Sequence, residues 1–211
     1  MPEKTVQKEP GKKPAPSKKP KPQQEVVVQI PLSELHPFPD HPFQVREDAS
    51  MQETAESVKE YGVLVPALAR PREDGGYELI AGHRRKHACE LAGLATMPVI
   101  VRDIDQDAAT IIMVDSNLQR ENILPSERAK AYKMKMEAIK RQGARTDLTS
   151  PKISAKFRSD DEVGQDAGVS GDTIRNYIAL TQLVPELQQM VDEKKIALSP
   201  AYQIAALTPK E

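Results

Sequence analysis

The chain has 211 residues, a formal net charge of −1 and a single cysteine. This length allows one or two domains with a real core, whereas one cysteine excludes a disulfide-stapled fold and nothing indicates secretion. No apolar run approaches the ~18 residues that a membrane span requires, and no apolar segment follows the lysine-rich start, as it would in a signal peptide. We therefore expect a cytoplasmic protein of bacterial type that has no membrane partner.

The near-zero net charge hides a strong pattern along the chain. Residues 1–24 hold seven lysines and two glutamates, and residues 128–158 hold ten basic and two acidic residues. Residues 159–211, in contrast, hold four basic and nine acidic residues. A basic band between acidic neighbours can supply contacts to nucleic-acid phosphates, although a solvated helix face would show the same charges.

The secondary structure is predicted from hydrophobic periodicity and turn residues. Residues 1–24 combine six prolines with seven lysines and are expected to form a disordered tail. Strands are predicted at residues 26–30, 64–70, 77–81 and 97–101. Helices are predicted at residues 51–61, 82–91, 105–115 and 125–142, with an extended loop at 32–48. A flexible joint is predicted at residues 143–151, followed by helical structure that ends with helices at 185–194 and 200–207.

This order of elements predicts a mixed α+β fold. A small α/β domain over residues 25–124 is expected to precede an all-α helix-turn-helix domain over residues 125–211. The helix predicted at residues 125–142 has one apolar face, formed by Ala129, Tyr132, Met136 and Ile139. The helical array stops abruptly at Glu211, so we expect the chain to be truncated.

A candidate phosphate-binding turn lies where the strand at 77–81 meets the next helix. Its sequence is Gly82-His83-Arg84-Arg85. Glycine lets the backbone approach a ligand closely, and a helix N-terminus offers unpaired N–H groups to an anion. Arg84 and Arg85 add forked donors that suit phosphate oxygens, and His83 would add positive charge if it were protonated. The alternative is an ordinary pair of surface arginines.

A second candidate segment is the polar run at residues 116–129, which leads into a helix at Pro125. A buried structural turn rarely needs so many directional hydrogen-bonding groups, whereas a surface that binds phosphate or a metal–phosphate complex does. The groups that matter belong to Ser116, Asn117, Gln119 and Arg120. A zinc site built on His83, His87 and Cys89 is not favoured, because Cys89 lies elsewhere around the helix and is most simply a small buried hydrophobe.

Residues 161–178 fit a helix-turn-helix. Gly164 is small where the two helices would cross, Gly168 permits the turn, and Ser170 can cap the second helix. Val169, Ile174 and Tyr177 or Ile178 are expected to face the core. The exposed positions of the second helix are predicted to be Ser170, Gly171, Asp172, Thr173, Arg175 and Asn176. An ordinary helical hairpin is the alternative.

DNA contacts are predicted from side-chain chemistry. Arginine and asparagine read guanine and adenine edges in the major groove. Phosphate anchoring is expected from the basic segment that precedes the motif. The predicted DNA-binding residues are Ser170, Thr173, Arg175, Asn176, Lys152, Lys156 and Arg158.

These segments together resemble the ParB/RepB/Spo0J-type partition family. Residues 61–70 resemble its first box (G-x-x-x-P-x-x-x-R), residues 82–88 its second (GERR), and residues 116–120 its third (ENxQR). The helix-turn-helix resembles the central DNA-binding region of the same family. The order and spacing agree, and the resemblance covers almost everything except residues 1–24.

The resemblance implies a CTP pocket with Mg²⁺. In the family, the first box lines the cytosine end, the second wraps the triphosphate and the third supplies Glu and Asn near the metal. Carried over, the phosphate contacts would come from Gly82, Arg84 and Arg85, the first-box wall from Gly62, Pro66 and Arg70, and the metal contact from Asn117 with Gln119 and Arg120 nearby. CTP hydrolysis in the family drives the opening and closing of a DNA clamp. His83 and Ser116 stand where the family usually has Glu, so only a weak CTPase is expected.

The partners implied by the resemblance are double-stranded DNA with a centromere-like or operator palindrome, and a ParA-type ATPase. The full-length protein is expected to be a nucleoid-associated homodimer, held together by a C-terminal domain for which no room remains after Glu211. One alternative is a regulator of transcription or replication without a partition role. Another is a nuclease-like or sulfiredoxin-like enzyme that uses Cys89 or His83, but no acidic metal cluster is visible in the sequence.

Overall fold

A computed structural model describes residues 25–120, 122–147 and 159–207, with the side chains of 144–147 and 159 left aside. The tail predicted at residues 1–24 lies outside these ranges. The described residues form five strands: β1 (Val27–Pro31), β2 (Leu35–Pro37), β3 (Ala67–Pro71), β4 (Tyr77–Ala81) and β5 (Thr96–Val101). The helices are α1 (Ala49–Tyr61), α2 (His83–Leu91), α3 (Gln106–Leu118), α4 (Pro125–Asp147), α5 (Ser159–Ala167), α6 (Gly171–Ala179), α7 (Pro185–Asp192) and α8 (Leu198–Ala205). The mixed α+β fold class is confirmed.

The strands form one mixed sheet in the order β1-β5-β3-β4-β2. β5 is antiparallel to β1 and parallel to β3, and β4 is antiparallel to β3 and parallel to β2. The prediction of an uninterrupted loop at residues 32–48 was wrong, because Leu35–Pro37 pairs with Tyr77–Leu79 as β2. A three-residue strand is too short to show a period, and its proline is tolerated because β2 lies at the edge of the sheet.

Helices cover both faces of the sheet. Successive β4 residues point to opposite faces, so Leu79 packs in a core with Met51 of α1 and Cys89 of α2. Ile80 packs in a second core with Met113 of α3 and other residues of α3, α4 and the 38–43 loop. Cys89 is fully buried, which confirms that it is a small core hydrophobe. Helix α2, which begins in the second box, and helix α3, which ends in the third box, therefore lie on opposite faces of the sheet.

Helix α3 is longer than predicted. It begins after Asp105, whose carboxylate accepts a hydrogen bond from the Ala108 N–H at 2.8 Å, and it continues to Leu118 rather than ending at residue 115. Ser116 Oγ and Asn117 Nδ2 donate to the Met113 carbonyl at 2.9 and 2.7 Å. The Ser116 hydroxyl and the Asn117 amide nitrogen are thus hydrogen-bonded within the helix. The first residues of the third box occupy the last turn of α3.

Helix α4 joins the sheet and its covering helices to the helical region. Its predicted apolar face is confirmed: Ala129 and Tyr132 are buried, and Met136 and Ile139 pack in the core of the helix-turn-helix. Ala131, on another side of α4, is buried against the second core of the sheet. The helix runs on to Asp147, so the joint predicted from residue 143 was wrong in its first part, and residues 148–151 lie outside the described ranges.

The helix-turn-helix was predicted correctly in most details. Ser170 caps α6 by accepting a hydrogen bond from the Thr173 N–H at 3.2 Å, and Ile174 is fully buried. Gly168 has a positive φ of 69°, which suits glycine in the turn. The prediction that Gly171 is exposed was wrong, because α5 covers it and a side chain there would meet Asp161.

No helix among the described residues is long and apolar enough to span a membrane.

The crossing of α5 and α6 generates the first prediction. A Cβ at position 164 would lie 2.6 Å from the Val169 carbonyl oxygen and 3.1 Å from the Gly171 nitrogen, both of which are backbone atoms. Gly164→Ala should therefore lower the free energy of unfolding by about 1–3 kcal/mol, measured by urea denaturation. The matched control is Gly143→Ala at an exposed position of α4, where nothing lies within 4 Å of the added Cβ and where alanine should add up to about 1 kcal/mol. Equal effects of the two substitutions would contradict the close crossing.

Candidate functional site

A cleft of about 530 Å³ opens where the 43–46 loop, the start of α1, the start of α2 and the link from α3 to α4 meet. Its volume is that of a small-molecule site. The cleft brings together Arg84 from the second box with Gln119 and Arg120 from the third. The other lining residues are Phe43, Gln44, Arg46, Asp48, Ser50, Asn122, Ile123 and Glu127.

Gly82 sets the entry into α2. Its φ is +113°, and a Cβ there would lie 2.8 Å from the Cβ of Ala67 on β3. Only glycine combines this backbone conformation with such a close approach. No side chain among the described residues caps the N-terminus of α2, so its first N–H groups remain available to an anion.

Arg84 and Arg120 make the cleft electropositive. Arg84 Nη2 donates to Ser50 Oγ at 3.2 Å and lies 3.7 Å from Asp48 Oδ1. Burial and then the nearby Arg84 guanidinium lower the pKa of Arg120. Two like charges held close together in a partly buried cleft repel, and a bound anion would relieve that repulsion.

Arg85 takes a different position from Arg84. Its Nη1 donates to the carbonyl oxygens of Val65 and Pro66, each at 2.6 Å, and burial lowers its pKa. Arg85 therefore holds the first-box turn instead of pointing into the cleft. Gly62 and Arg85 line a neighbouring recess of about 400 Å³ that shares Ser50 with the main cleft.

Arg70 is not brought to the cleft. Its guanidinium pairs with Glu78 on the adjacent strand and with Gln106 at the start of α3. It lines a separate recess with Asp103 and Asp105. Of the first-box residues predicted from the sequence, only Gly62 and Pro66 therefore lie beside the second box.

His83 lies at the first position of α2 with its ring against that of His41, at a centroid distance of 4.0 Å. Neither ring nitrogen of His83 has a hydrogen-bond partner among the described residues. Burial, followed by the charges of His41, Arg120 and Lys86, lowers the pKa of His83 to about 3. With this pKa, the positive charge that a protonated His83 would add is absent at pH 7.

Asn117 offers a buried acceptor at the end of α3. The residue is 2% exposed; its Nδ2 is used by Met113, while Oδ1 has no partner among the described residues. That oxygen fits one ligand position of a Mg²⁺ that takes its remaining ligands from phosphates and water. Ser116 adds only a neutral hydroxyl, and the described residues contain no group of three or more His, Cys, Asp or Glu side chains placed for a metal.

Glu127 is a cleft residue that sequence reasoning missed. Its carboxylate accepts from the N–H groups of Gln44 and Leu124, both at 3.1 Å, and pairs with Arg46 at 3.5 Å. It thus caps α4 and ties the 43–46 loop to it. A Glu at the third position of a helix that starts with Pro125 is a capping signal that could have been read from the sequence.

The helix-turn-helix presents part of the predicted DNA surface. Ser170, Arg175 and Asn176 are exposed and Thr173 is partly buried on α6. Arg175, with 41% of its side chain exposed, is held by Asp160 and Asp172. The predicted phosphate-anchoring residues Lys152, Lys156 and Arg158 lie outside the described residues.

The neutral state of His83 predicts a pH dependence of stability. Its pKa is about 3 in the folded protein against an ordinary 6.5, so the unfolded chain binds more protons between these values. This contribution to stability is complete above pH 6.5 and is lost as the pH falls below it. Wild type should therefore lose more of its urea midpoint between pH 7 and pH 5 than His83→Gln, whose side chain does not titrate. Parallel pH profiles for the two proteins would show that His83 is not held neutral.

Comparison with known proteins identifies both parts of the chain. Residues 16–118 match the ParB N-terminal domain, and residues 151–211 match the ParB HTH domain. The chromosome-partitioning protein Spo0J of Thermus thermophilus is 34% identical over 186 residues, which make up 88% of this chain and 62% of the relative. The probable chromosome 1-partitioning protein ParB of Deinococcus radiodurans is 37% identical over 170 residues, 81% of this chain and 52% of the relative. The chain spans less than two thirds of the length of either relative.

A solved structure agrees with this identification. The C-terminally truncated chromosome-partitioning protein ParB from Caulobacter crescentus, complexed to the centromeric parS site, matches with a TM-score of 0.55 and 27% identity, over 86% of each chain. The structure of that protein complexed with CTP-gamma-S matches with a TM-score of 0.42 and 29% identity, over 87% of this chain and 93% of that one. With an N-terminal domain and an HTH domain of one family following each other on the same polypeptide, the chain belongs to the ParB family.

Proposed function

We propose that this protein is a sequence-specific, DNA-binding partition protein whose N-terminal cleft binds CTP. The main support for CTP binding is the pair formed by Arg84 and Arg120 beside the uncapped N-terminus of α2. We also propose the division into a tail (1–24), a nucleotide-binding domain (25–124) and a DNA-binding domain (125–211). Action on the nucleoid, with a ParA-type ATPase and as a homodimer of the full-length protein, is part of the same proposal.

The cleft suits a triphosphate because its donors are arranged in two ways. The N–H groups of the first α2 turn act at short range and need the close backbone approach that Gly82 permits. Arg84 and Arg120 are longer, forked donors that can each hold two phosphate oxygens. Arg85 acts indirectly, because it fixes the Val65 and Pro66 carbonyls that would face the base end of the ligand.

Turnover is proposed to be slow. Mg²⁺ would neutralise triphosphate charge when it is bound, and Asn117 Oδ1 is the protein oxygen best placed to hold it. Ser116 supplies no carboxylate, and its hydroxyl already donates to Met113. His83 is neutral and has no carboxylate oxygen either. These residues can bind and orient the ligand, but neither Ser116 nor His83 offers the basic oxygen that would activate a water molecule.

DNA recognition is proposed to rest on α6. Its exposed face carries Arg175 and Asn176, the side-chain types that read guanine and adenine. In the free protein, Asp160 and Asp172 hold Arg175, so DNA must displace these carboxylates from the guanidinium. The relative from Caulobacter crescentus that was solved on parS supports parS as the probe for this activity.

The nucleotide proposal predicts the effect of removing either arginine. Arg84→Ala and Arg120→Ala should each weaken CTP binding by about 10- to 100-fold, since a hydrogen bond to a charged group contributes about 1.5–3 kcal/mol. Arg72→Ala is the control, because Arg72 is a partly exposed arginine that pairs with Asp74 in a turn outside the cleft. Isothermal calorimetry with CTP and Mg²⁺ measures all three variants.

A phosphate-release assay on the same proteins tests the proposal that turnover is slow. Wild type should release little phosphate with a parS duplex present, and Ser116→Glu should strengthen the dependence of CTP binding on Mg²⁺. Brisk phosphate release by wild type would show that a neutral residue at position 116 does not impair turnover. No binding at millimolar CTP would overturn the nucleotide proposal and leave a DNA-binding protein.

The DNA proposal predicts a specific loss for Arg175→Ala. Affinity for a parS duplex should fall by about 1–3 kcal/mol, with little change on a random duplex. Fluorescence anisotropy at one fixed salt concentration measures both. Lys59→Ala, at an exposed position of α1, should change neither affinity. Equal losses on the two duplexes would assign Arg175 to a phosphate instead of a base.

A further inference from the structure

Lys135 is a charged residue in the interior. It lies in the middle of α4, its side chain is 1% exposed, and it is among the largest fully buried side chains of the described residues. A lysine is almost never buried this completely unless it is paired, because an ammonium group loses its hydration there. Lys135 Nζ donates to Asp115 Oδ1 at 2.6 Å and to Asp166 Oδ2 at 2.8 Å.

Asp115, Lys135 and Asp166 come from three different helices. Asp115 lies in α3, in the turn that carries Ser116 and Asn117, and Asp166 lies in α5, the first helix of the helix-turn-helix. Lys135 belongs to α4, which packs against both. The triad therefore connects the start of the third box to the DNA-binding motif through one ammonium group.

The two aspartates keep the buried Lys135 charged. Asp115 and Asp166 are 47% and 56% exposed, so water can solvate each carboxylate without the lysine. Burial by itself lowers the pKa of Lys135, but its hydrogen bonds to Asp115 and Asp166 outweigh this and raise the pKa overall. An ion pair of this kind contributes little net stability, and its attested use is to select one arrangement of the helices.

A second cleft lies beside the triad. It measures about 440 Å³ and is lined by Asp115, Gln119, Arg128, Tyr132 and Asp166 together with Leu118, Ala167 and Val169. Gln119 also lines the candidate nucleotide cleft, so the two clefts share a wall. A shift of the last α3 turn would move Asp115 on one side and Gln119 on the other.

We propose that Lys135 is a positioning residue that couples the nucleotide cleft to the DNA-reading helix through the Asp115–Lys135–Asp166 triad. The orientation of α5 and α6 then follows the position of the last α3 turn. Coupling of this kind is reciprocal, so DNA would change nucleotide affinity by the same factor as nucleotide changes DNA affinity. The identity of the ligand in this proposal rests on the proposed function, whereas the positioning itself does not.

The first experiment measures positioning without any ligand. Spin labels are attached to Glu56→Cys on α1 and Glu162→Cys on α5, both exposed positions, with the buried Cys89 replaced by Ala. Double electron–electron resonance should give one narrow distribution of label-to-label distances for the parent and a broadened or displaced one for Lys135→Met. Lys135→Arg, which keeps a charged donor, should restore a distribution closer to that of the parent.

The matched control is Arg141→Met. Arg141 Nε donates to Asp107 Oδ1 at 2.7 Å and so ties α4 to the start of α3. Its distance distribution should stay that of the parent even if its melting temperature falls. If Lys135→Met does not fold, Asp166→Asn tests the same contact at a half-exposed position. A parent-like distribution in folded Lys135→Met, or in Asp166→Asn where that variant is used, would overturn the proposal.

The second experiment measures coupling. The affinity of each protein for a parS duplex is determined with and without CTP and Mg²⁺. The parent should show a change within the usual range of about 5- to 150-fold, and Lys135→Met should show nearly none while it still binds CTP. The same fold-change in Lys135→Met and the parent would overturn the proposal. If the parent binds no CTP, the proposed function fails, and the spin-label distances alone decide the role of Lys135.

Discussion

The packing of α4 on two sides is the constraint on which the rest of the structure depends. Ala131 meets the core beneath β4, whereas Tyr132 meets the core of the helix-turn-helix. The start of α4 is fixed as well: Glu127 accepts from Leu124, and Asp192 of α7 accepts from the Ser126 N–H at 2.9 Å. Because the N–H groups of residues 124 and 126 are already served by protein carboxylates, α4 does not compete with α2 for an anion.

Burial, more than charge, sets the state of the cleft histidines. It is the main cause of the lowered pKa of His83, and the charges of His41, Arg120 and Lys86 lower that pKa further. The ring of His83 instead packs on His41, whose Nδ1 donates to the Phe43 carbonyl at 2.7 Å. The pair therefore fills the space between α2 and the 38–43 loop without adding charge. The phosphate contacts proposed for the second box thus rest on Arg84 and on the backbone of α2.

The sequence was most informative where structure is local. Gly164, Gly168 and Ser170 could be assigned correctly because a turn, a close crossing and a cap each need a small set of residue types within a few positions. The sequence could not predict contacts between side chains that are far apart in the chain. Nothing near Arg85 shows that it binds the carbonyls of Val65 and Pro66, and nothing near Lys135 indicates two aspartates on other helices. Strand β2 was missed for a related reason, since its only support comes from β4.

In the proposed function, both halves share one arrangement, in which arginines are held by partners that a phosphate or a base can displace. Arg84 is held by Ser50 and lies near Asp48, and Arg175 is held by Asp160 and Asp172. Such partners keep the guanidinium groups ordered and lower the entropy lost on binding. The carboxylates around Arg175 also repel DNA phosphates, which weakens binding to arbitrary sequences, whereas a guanine edge in the right place can replace them. Under the proposed function, selectivity in the acidic helix-turn-helix therefore comes from competition for Arg175, and not from a high overall positive charge.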